Sequence, residues 1–268
     1  MAIEDTAEHQ AANVEAANVE AANVEAPNVE AANVKASDRQ LDDGAAVHGG
    51  RIRGGVVKGV IFDSDGTLVD SENVAATLLH AMLGERGIEM SQPEVLRRFR
   101  GVQFAVFIAE LCQAHPDLDG EPFMVEFRQR SLEVFRQGLA PMPGAKAFVE
   151  NLDLPKCVAS NGPRLKIETC LGQAGLLQYF TDRIASAYEV RSWKPAPGLI
   201  IEAAALLGLQ PHECLLVEDS IAGAEAGLAA GAQVAGFGEF DFSTFDHAAN
   251  FHRTPTYDDV AALLQRLR

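Results

Sequence analysis

Between Val56 and Asp63 the chain reads VVKGVIFD, a nearly continuous apolar run closed by an acid. A run of this kind suits a central parallel strand buried on both faces, because helices covering both sides leave no polar face to alternate with. Similar short runs recur at Lys156–Ser160, Cys214–Glu218 and Gln233–Phe237, with helical segments between them. That alternation specifies an α/β fold built on a doubly wound parallel sheet. The helix expected after the third run, Ile221–Ala230, carries Gly223 and Gly227 on one face, which permits close approach to the sheet.

Between the first two runs lies a helical stretch of roughly 90 residues, too long for a simple crossover connection. Asn73–Leu83 places Val74, Leu78 and Met82 four apart. Ser91-Gln92-Pro93-Glu94 has capping-box spacing with proline near the helix start, and Gly101 follows as a stop. Val102–Cys112 and Glu121–Gln137 read as two amphipathic helices, the second with Phe123, Phe127 and Val134 on one stripe. The insertion is expected to pack as a small bundle and to return through Ala140-Pro141-Met142-Pro143-Gly144, a stiff linker suited to a hinge.

With 268 residues, 47% of them hydrophobic, the chain is long enough to bury a substantial core. Twenty-two Lys and Arg stand against 38 Asp and Glu, a net charge of −16. That balance argues against nucleic acid and against anionic lipid as general partners, since both require basic surface. No stretch approaches the roughly 18 apolar residues of a membrane span, and MAIEDTAEHQ lacks the basic flank of a signal peptide. A soluble, cytoplasmic protein is expected. Cys112, Cys157, Cys170 and Cys214 are widely spaced with no C-x-x-C pair, which points to reduced, buried thiols rather than disulfides or zinc.

The charge is uneven. Up to Gly50 there are ten acids and only Lys35 and Arg39 as bases, so half the net charge sits in under a fifth of the chain. This segment contains five tandem pentads, AANVE, AANVE, AANVE, APNVE and AANVK, from Ala11 to Lys35. A five-residue period gives neither a helix nor a strand a single apolar face. The pattern resembles pentapeptide-repeat solenoids, but five units without caps cannot bury a core of their own. Residues 1–55 are therefore expected to form a disordered acidic leader, for which the sequence identifies no protein partner.

The chemistry collects where the strands end. Asp63-Ser64-Asp65-Gly66-Thr67 follows the first run directly, and in open parallel sheets ligands bind beyond the carboxyl ends of the strands. Two carboxylates so close repel each other, and a divalent cation neutralises them. The second run ends in Ser160-Asn161-Gly162, a hydroxyl and backbone N–H groups ahead of a helix, suited to phosphate. The third ends in Glu218-Asp219-Ser220, a pair of hard oxygen ligands suited to Mg²⁺. Between these lies Lys194, in Trp193-Lys194-Pro195. Most of these fragments, taken singly, are ordinary helix caps or a surface lysine. In order, at the ends of the expected strands, they converge on one site.

FDSDGTLVDSE, ASNGP, WKPAPG and LLVEDSIAGAEAGLAAG match, in order, the four motifs of the haloacid dehalogenase (HAD) superfamily, which the chain resembles from about Val56 to about Gly238. The likeness is to its phosphatase branch with a helical cap. It implies a Rossmann-like three-layer parallel core from residues 56–70 and 143–268, with the cap at 71–142. RRFRGVQ, SNGP and YEVRSWKP look most like bacterial sugar-phosphate and sugar-acid-phosphate phosphatases, including those acting on 6-phosphogluconate.

The resemblance also implies roles. Asp63 is the nucleophile, giving an aspartyl-phosphate, and Asp65 the general acid and base. Mg²⁺ is held by Asp63, the Asp65 backbone carbonyl and Asp219, helped by Glu218. Ser160, the Asn161 amide and Lys194 position the phosphoryl oxygens, with Thr67 a turn-stabilising hydroxyl first and a phosphate contact second. Asp65 argues against dehalogenation, since a halide leaves without a proton. The alternatives are phosphoglycolate as substrate, or β-phosphoglucomutase-like transfer. The mutases carry a cap histidine ten residues past the second aspartate, where this chain has Ala75, with His80 further on. In the cap, Arg100 is a candidate contact for an anionic substrate, whereas Arg97 and Arg98 read as cations at a helix C-terminus. Glu72 either binds a substrate hydroxyl or caps the helix at Asn73. The expected partner is a small phosphorylated metabolite.

Overall fold

In a computed structural model of the chain, residues 56–99 and 104–268 are described. The first apolar run forms β1 (Gly59–Phe62), and all four of its residues are buried. Its side chains alternate between two cores. Val60 and Phe62 pack in a cluster with Val158, Phe180 and Tyr257, whereas Ile61 packs in another with Cys157, Ala159 and Leu216. Burial on both faces is what removes polar residues from the run.

β2 (Lys156–Ser160), β3 (Ile184–Ser186), β4 (Cys214–Glu218), β5 (Gln233–Phe237) and β6 (Phe251–Thr254) complete a six-stranded sheet of order β3-β2-β1-β4-β5-β6. Every neighbouring pair is parallel. β1 lies at the centre, between β2 and β4, so the segments leaving β1, β2 and β4 emerge side by side. The expected doubly wound α/β sheet is thus present, and β2, β4 and β5 have the bounds of their sequence runs.

Ten α-helices are described. Four lie between β1 and β2 in the chain before the return to the sheet: α1 (Ser71–Gly84), α2 (Gln92–Phe99), α3 (Phe104–Ala114) and α4 (Gly120–Gln137). The others are α5 (Ala145–Asn151), α6 (Arg164–Gln173), α7 (Ala187–Val190), α8 (Gly198–Leu206), α9 (Ile221–Ala230) and α10 (Tyr257–Leu267). On α1 the buried stripe is Ala75, Leu78, Leu79, Met82 and Leu83, with Val74 only partly buried. On α4 it is Phe123, Phe127, Ser131 and Phe135 rather than Val134. Ser131 is accommodated because its hydroxyl donates to the Phe127 carbonyl at 2.6 Å.

Arg130 on α4 bonds both carboxylate oxygens of Glu85, just past α1, which ties these two helices together. The entry and return connections of the insertion run side by side. Asp70 donates its N–H to the Ala140 carbonyl at 3.1 Å, and Met142 donates to that of Leu68 at 2.9 Å. On α9, a Cβ added to Gly227 would stand 2.6 Å from Leu216 and 2.7 Å from Val234, so the close approach to the sheet is real. The four cysteines are free thiols, three of them buried. Among the described residues no helix is long and apolar enough to cross a membrane. The pentads and the rest of residues 1–55 lie outside the described residues, as do Arg100 and the Gly101 stop.

Candidate active site

β1 ends at Phe62, and the next residue, Asp63, donates its N–H to the Val217 carbonyl of β4 at 3.0 Å. This bond carries Asp63 to the carboxyl end of the sheet, where its side chain is 11% exposed. The chain then turns sharply: Leu68 and Val69 both donate to the Ser64 carbonyl. Gly66 makes the turn possible at φ +76°, and a Cβ there would lie 2.1 Å from an Asp219 oxygen.

Lys194 reaches the same point from the loop before α8. Its ammonium lies 2.5 Å from Asp63 and 2.7 Å from Glu218, at the end of β4. It is 3% exposed. The Asn161 side chain holds the Lys194 backbone, accepting its N–H at 2.9 Å and donating to its carbonyl at 3.3 Å. Asn161 thus serves Lys194 with its side-chain amide. Ser160, 2% exposed, accepts the Gly162 N–H at 3.1 Å, which orders the loop leaving β2.

Glu218 bonds Lys194 through one oxygen and Ser220 through the other, at 3.0 Å from the backbone N–H and 2.7 Å from the hydroxyl. A Cβ on Gly223 would sit 1.9 Å from that carboxyl group, so the first turn of α9 is shaped around Glu218. Asp219 accepts the Thr67 hydroxyl at 3.0 Å, which ties the turn after β1 to the end of β4. Asp63, Glu218 and Asp219 each offer an oxygen within 4.8 Å of the others. An all-oxygen donor set with more acids than the single Lys194 balances suits a hard divalent cation.

The electrostatics follow from this crowding. Burial, with Glu218 and Asp65 adding to it against the pull of Lys194, raises the Asp63 pKa to about 8. Burial and repulsion from Glu218, Asp63 and Glu72 push Asp219 well above the ordinary carboxylate range. Asp65 behaves oppositely. Burial acts to raise it, but the Lys166 ammonium at 2.8 Å, the Ser71 hydroxyl and the charge of Lys194 outweigh that and hold it low. Two acids two residues apart are thereby driven in opposite directions. Glu72 sits in the first turn of α1, where its charge reaches Asp219.

Two participants lie outside the sequence-derived set. Lys166, on α6, grips Asp65 across 101 residues, and no motif marks it. Tyr257, at the start of α10, donates its hydroxyl to the Thr67 carbonyl at 2.8 Å from a buried position between Phe148 and Phe237. It links the C-terminal helix to the turn that orients Asp219. Tyr257→Phe is expected to cost about 1–2 kcal/mol, by leaving that carbonyl without its donor, and to lower the melting temperature without changing the fold. Thermal unfolding followed by circular dichroism checks this.

The open parallel sheet thus brings two carboxylates after its central strand, a lysine clamped on the first, and a further acid pair where adjoining β4 ends to the carboxyl end of the sheet. The chain belongs to the haloacid dehalogenase-like hydrolases, whose family model matches residues 57–231. It is 36% identical to the 6-phosphogluconate phosphatase of Escherichia coli, over 65% of this chain and 80% of that protein. Hexitol phosphatase A of Escherichia coli is 31% identical, again over 65% of this chain and 80% of its own length. A solved HAD family hydrolase from Deinococcus radiodurans, with bound phosphate and sodium, aligns with a TM-score of 0.67 at 28% identity. It covers 79% of this chain and 96% of that one.

Proposed function

We propose that the chain is a Mg²⁺-dependent phosphatase of small phosphorylated metabolites, with sugar and sugar-acid phosphates, 6-phosphogluconate first, as its substrates. The observation that carries this is the pair of acids after β1 with separate environments: Asp63 buried against Lys194, and Asp65 held apart by Lys166 and Ser71. The likeness to a 6-phosphogluconate phosphatase and to a hexitol phosphatase supports the substrate class.

In this scheme Asp63 would be ionised with the cation bound, and the negative charge of an incoming phosphate raises the Asp65 carboxyl from its low value in the free protein, so that it takes up a proton from solvent. An Asp63 oxygen then attacks phosphorus as the bond to the leaving oxygen breaks, and Asp65 passes that proton to the leaving oxygen. Asp65 then takes a proton from water as the water oxygen attacks phosphorus, freeing Asp63 and inorganic phosphate. Lys194 offsets charge on the phosphoryl oxygens, and Ser160 with the Asn161 backbone amide orients them. Mg²⁺ would be held by Asp63, Asp219 and the Asp65 carbonyl. Glu218, whose oxygens serve Lys194 and Ser220, adds charge to the cluster. When bound, the ion supplies the positive charge that lets these acids and a phosphate share one crevice. Residues 71–142 act as the cap, with Glu72 at its first connection and Arg100 beyond α2 as candidate substrate contacts. Against a mutase stands position 75, a buried alanine, while His80 is engaged by the Met90 carbonyl at 2.9 Å.

The test is inorganic phosphate release from 6-phosphogluconate, hexose 6-phosphates, phosphoglycolate and β-glucose 1-phosphate, with Mg²⁺ and with EDTA. Release that requires Mg²⁺ and favours the sugar or sugar-acid esters is expected. Isomerisation of β-glucose 1-phosphate without release, or release indifferent to EDTA, contradicts the proposal.

The same acids set a pH dependence of stability. A carboxyl whose folded pKa lies above its unfolded value contributes stability that is complete below the unfolded value, 3.8 here, and is lost as pH rises through the folded one, about 8 for Asp63. The metal-free protein should therefore melt at lower temperature at about pH 9 than at about pH 6, and Mg²⁺ should raise the melting temperature more at the higher pH. Scanning calorimetry at both pH values, with and without Mg²⁺, checks it.

A further inference from the structure

Asp65 has a different partner on each carboxylate oxygen. Ser71, at the start of α1, donates to Oδ1, and Lys166 donates to Oδ2 at 2.8 Å. The Lys166 side chain is 32% exposed and that of Asp65 26%, so the pair sits at the mouth of the site. The Lys166 ammonium also lies 6.0 Å from the centre of the Phe135 ring, on the last turn of α4. Lys166 therefore touches the core helix α6, the turn after β1 and the end of the helical insertion. The two acids have become two separate ion pairs, Asp63 with Lys194 and Asp65 with Lys166.

We infer that Lys166 is a positioning residue for Asp65: its ammonium fixes the carboxyl in one orientation, so that the remaining face of the group meets the leaving oxygen. The carboxyl end of an aspartate otherwise turns freely about its last bond, and a proton donor held out of line loses much of its value. A second partner on the opposite oxygen restricts that rotation. Lys166 needs no contact with substrate to do this. The inference rests on the proposed roles of Asp63 and Asp65.

The test compares kcat/KM, which reports steps up to loss of the leaving group, for glycerol phosphate and for p-nitrophenyl phosphate. The alkoxide needs a proton to depart and the nitrophenolate does not. Lys166→Met should lower kcat/KM for glycerol phosphate by about tenfold or more, the scale of a misplaced acid, and leave p-nitrophenyl phosphate within about threefold. Asp65→Asn should show the same selectivity more strongly, and Lys166→Arg should recover part of the loss. Lys166→Gln, checked with the others by thermal unfolding, replaces Lys166→Met if that variant does not fold.

If Asp65→Asn is selective and the Lys166 variants match the wild type, the inference about Lys166 falls alone. Equal losses on both substrates in a folded variant also overturn it, as does a change confined to KM, which would make Lys166 a substrate contact. If Asp65→Asn itself shows no selectivity, the underlying assignment of Asp65 fails first, and with it the basis for Lys166.

Discussion

Asp63→Asn is expected to reduce phosphate release by roughly three orders of magnitude or more, the scale seen when a covalent nucleophile is removed. The fold should survive. Asparagine keeps the shape and can still meet Lys194 with its carbonyl oxygen, and burial already makes the ionised carboxylate costly enough to raise its pKa to about 8. Above that pH the wild type carries a buried charge that the variant lacks, so the metal-free variant should melt no lower than the wild type in alkaline buffer. Loss of turnover without loss of stability separates a chemical role for Asp63 from a structural one. Steady-state assay and calorimetry on the same preparations give both numbers.

Lys194→Met should fail on both counts. The ammonium lies between Asp63 and Glu218, with exposures of 3%, 11% and 1% for the three side chains. Removing it leaves two buried acids facing each other without the cation, and breaking a buried pair from one side typically costs about 3–5 kcal/mol. Methionine fills the stem but supplies no donor. The deficit should deepen as pH rises, because ionising Asp63 then has no counter-charge within reach, and should shrink in acid, where protonation removes the repulsion. Urea unfolding at two pH values measures this. Activity should be lost across the range, since charge on the phosphoryl oxygens loses its nearest cation.

Asp63, Asp65, Ser160, Asn161, Glu218 and Asp219 were legible because each stands at or just past the carboxyl end of a mostly apolar, buried strand, and strand ends in a parallel sheet converge by construction. β2, β4, β5 and α9 were legible for the same reason: burial on both faces writes a continuous apolar run, and Gly223 and Gly227 mark the helix that lies against the sheet. β3 was not, because three residues, Ile184–Ser186, carry no period. Nor was β6, Phe251–Thr254, an edge strand whose His252 and Arg253 reach solvent and dilute its apolar signal.

Lys166 was hidden for a different reason. It sits in the first turn of an ordinary helix, and its partner is 101 residues away, so only the fold reveals the pair. Tyr257 lies beyond the span that resembles the family, 190 residues from the carbonyl it supports. The specific task of Asn161 also needed coordinates: that it sits in a β2 loop is plain from the sequence, that its side chain clamps Lys194 is not.

Passage of phosphate through Asp63 is visible on acid-quenching Asp65→Asn during turnover of p-nitrophenyl phosphate and mapping the phosphorylated residue by peptide mass spectrometry. Without Asp65 to activate water, the covalent intermediate should accumulate. The expected result is a burst of nitrophenol matched by a phosphoryl group on the peptide that contains Asp63, absent when Asp63 is also replaced. A burst with the label on another residue, or turnover with no covalent adduct, would contradict it.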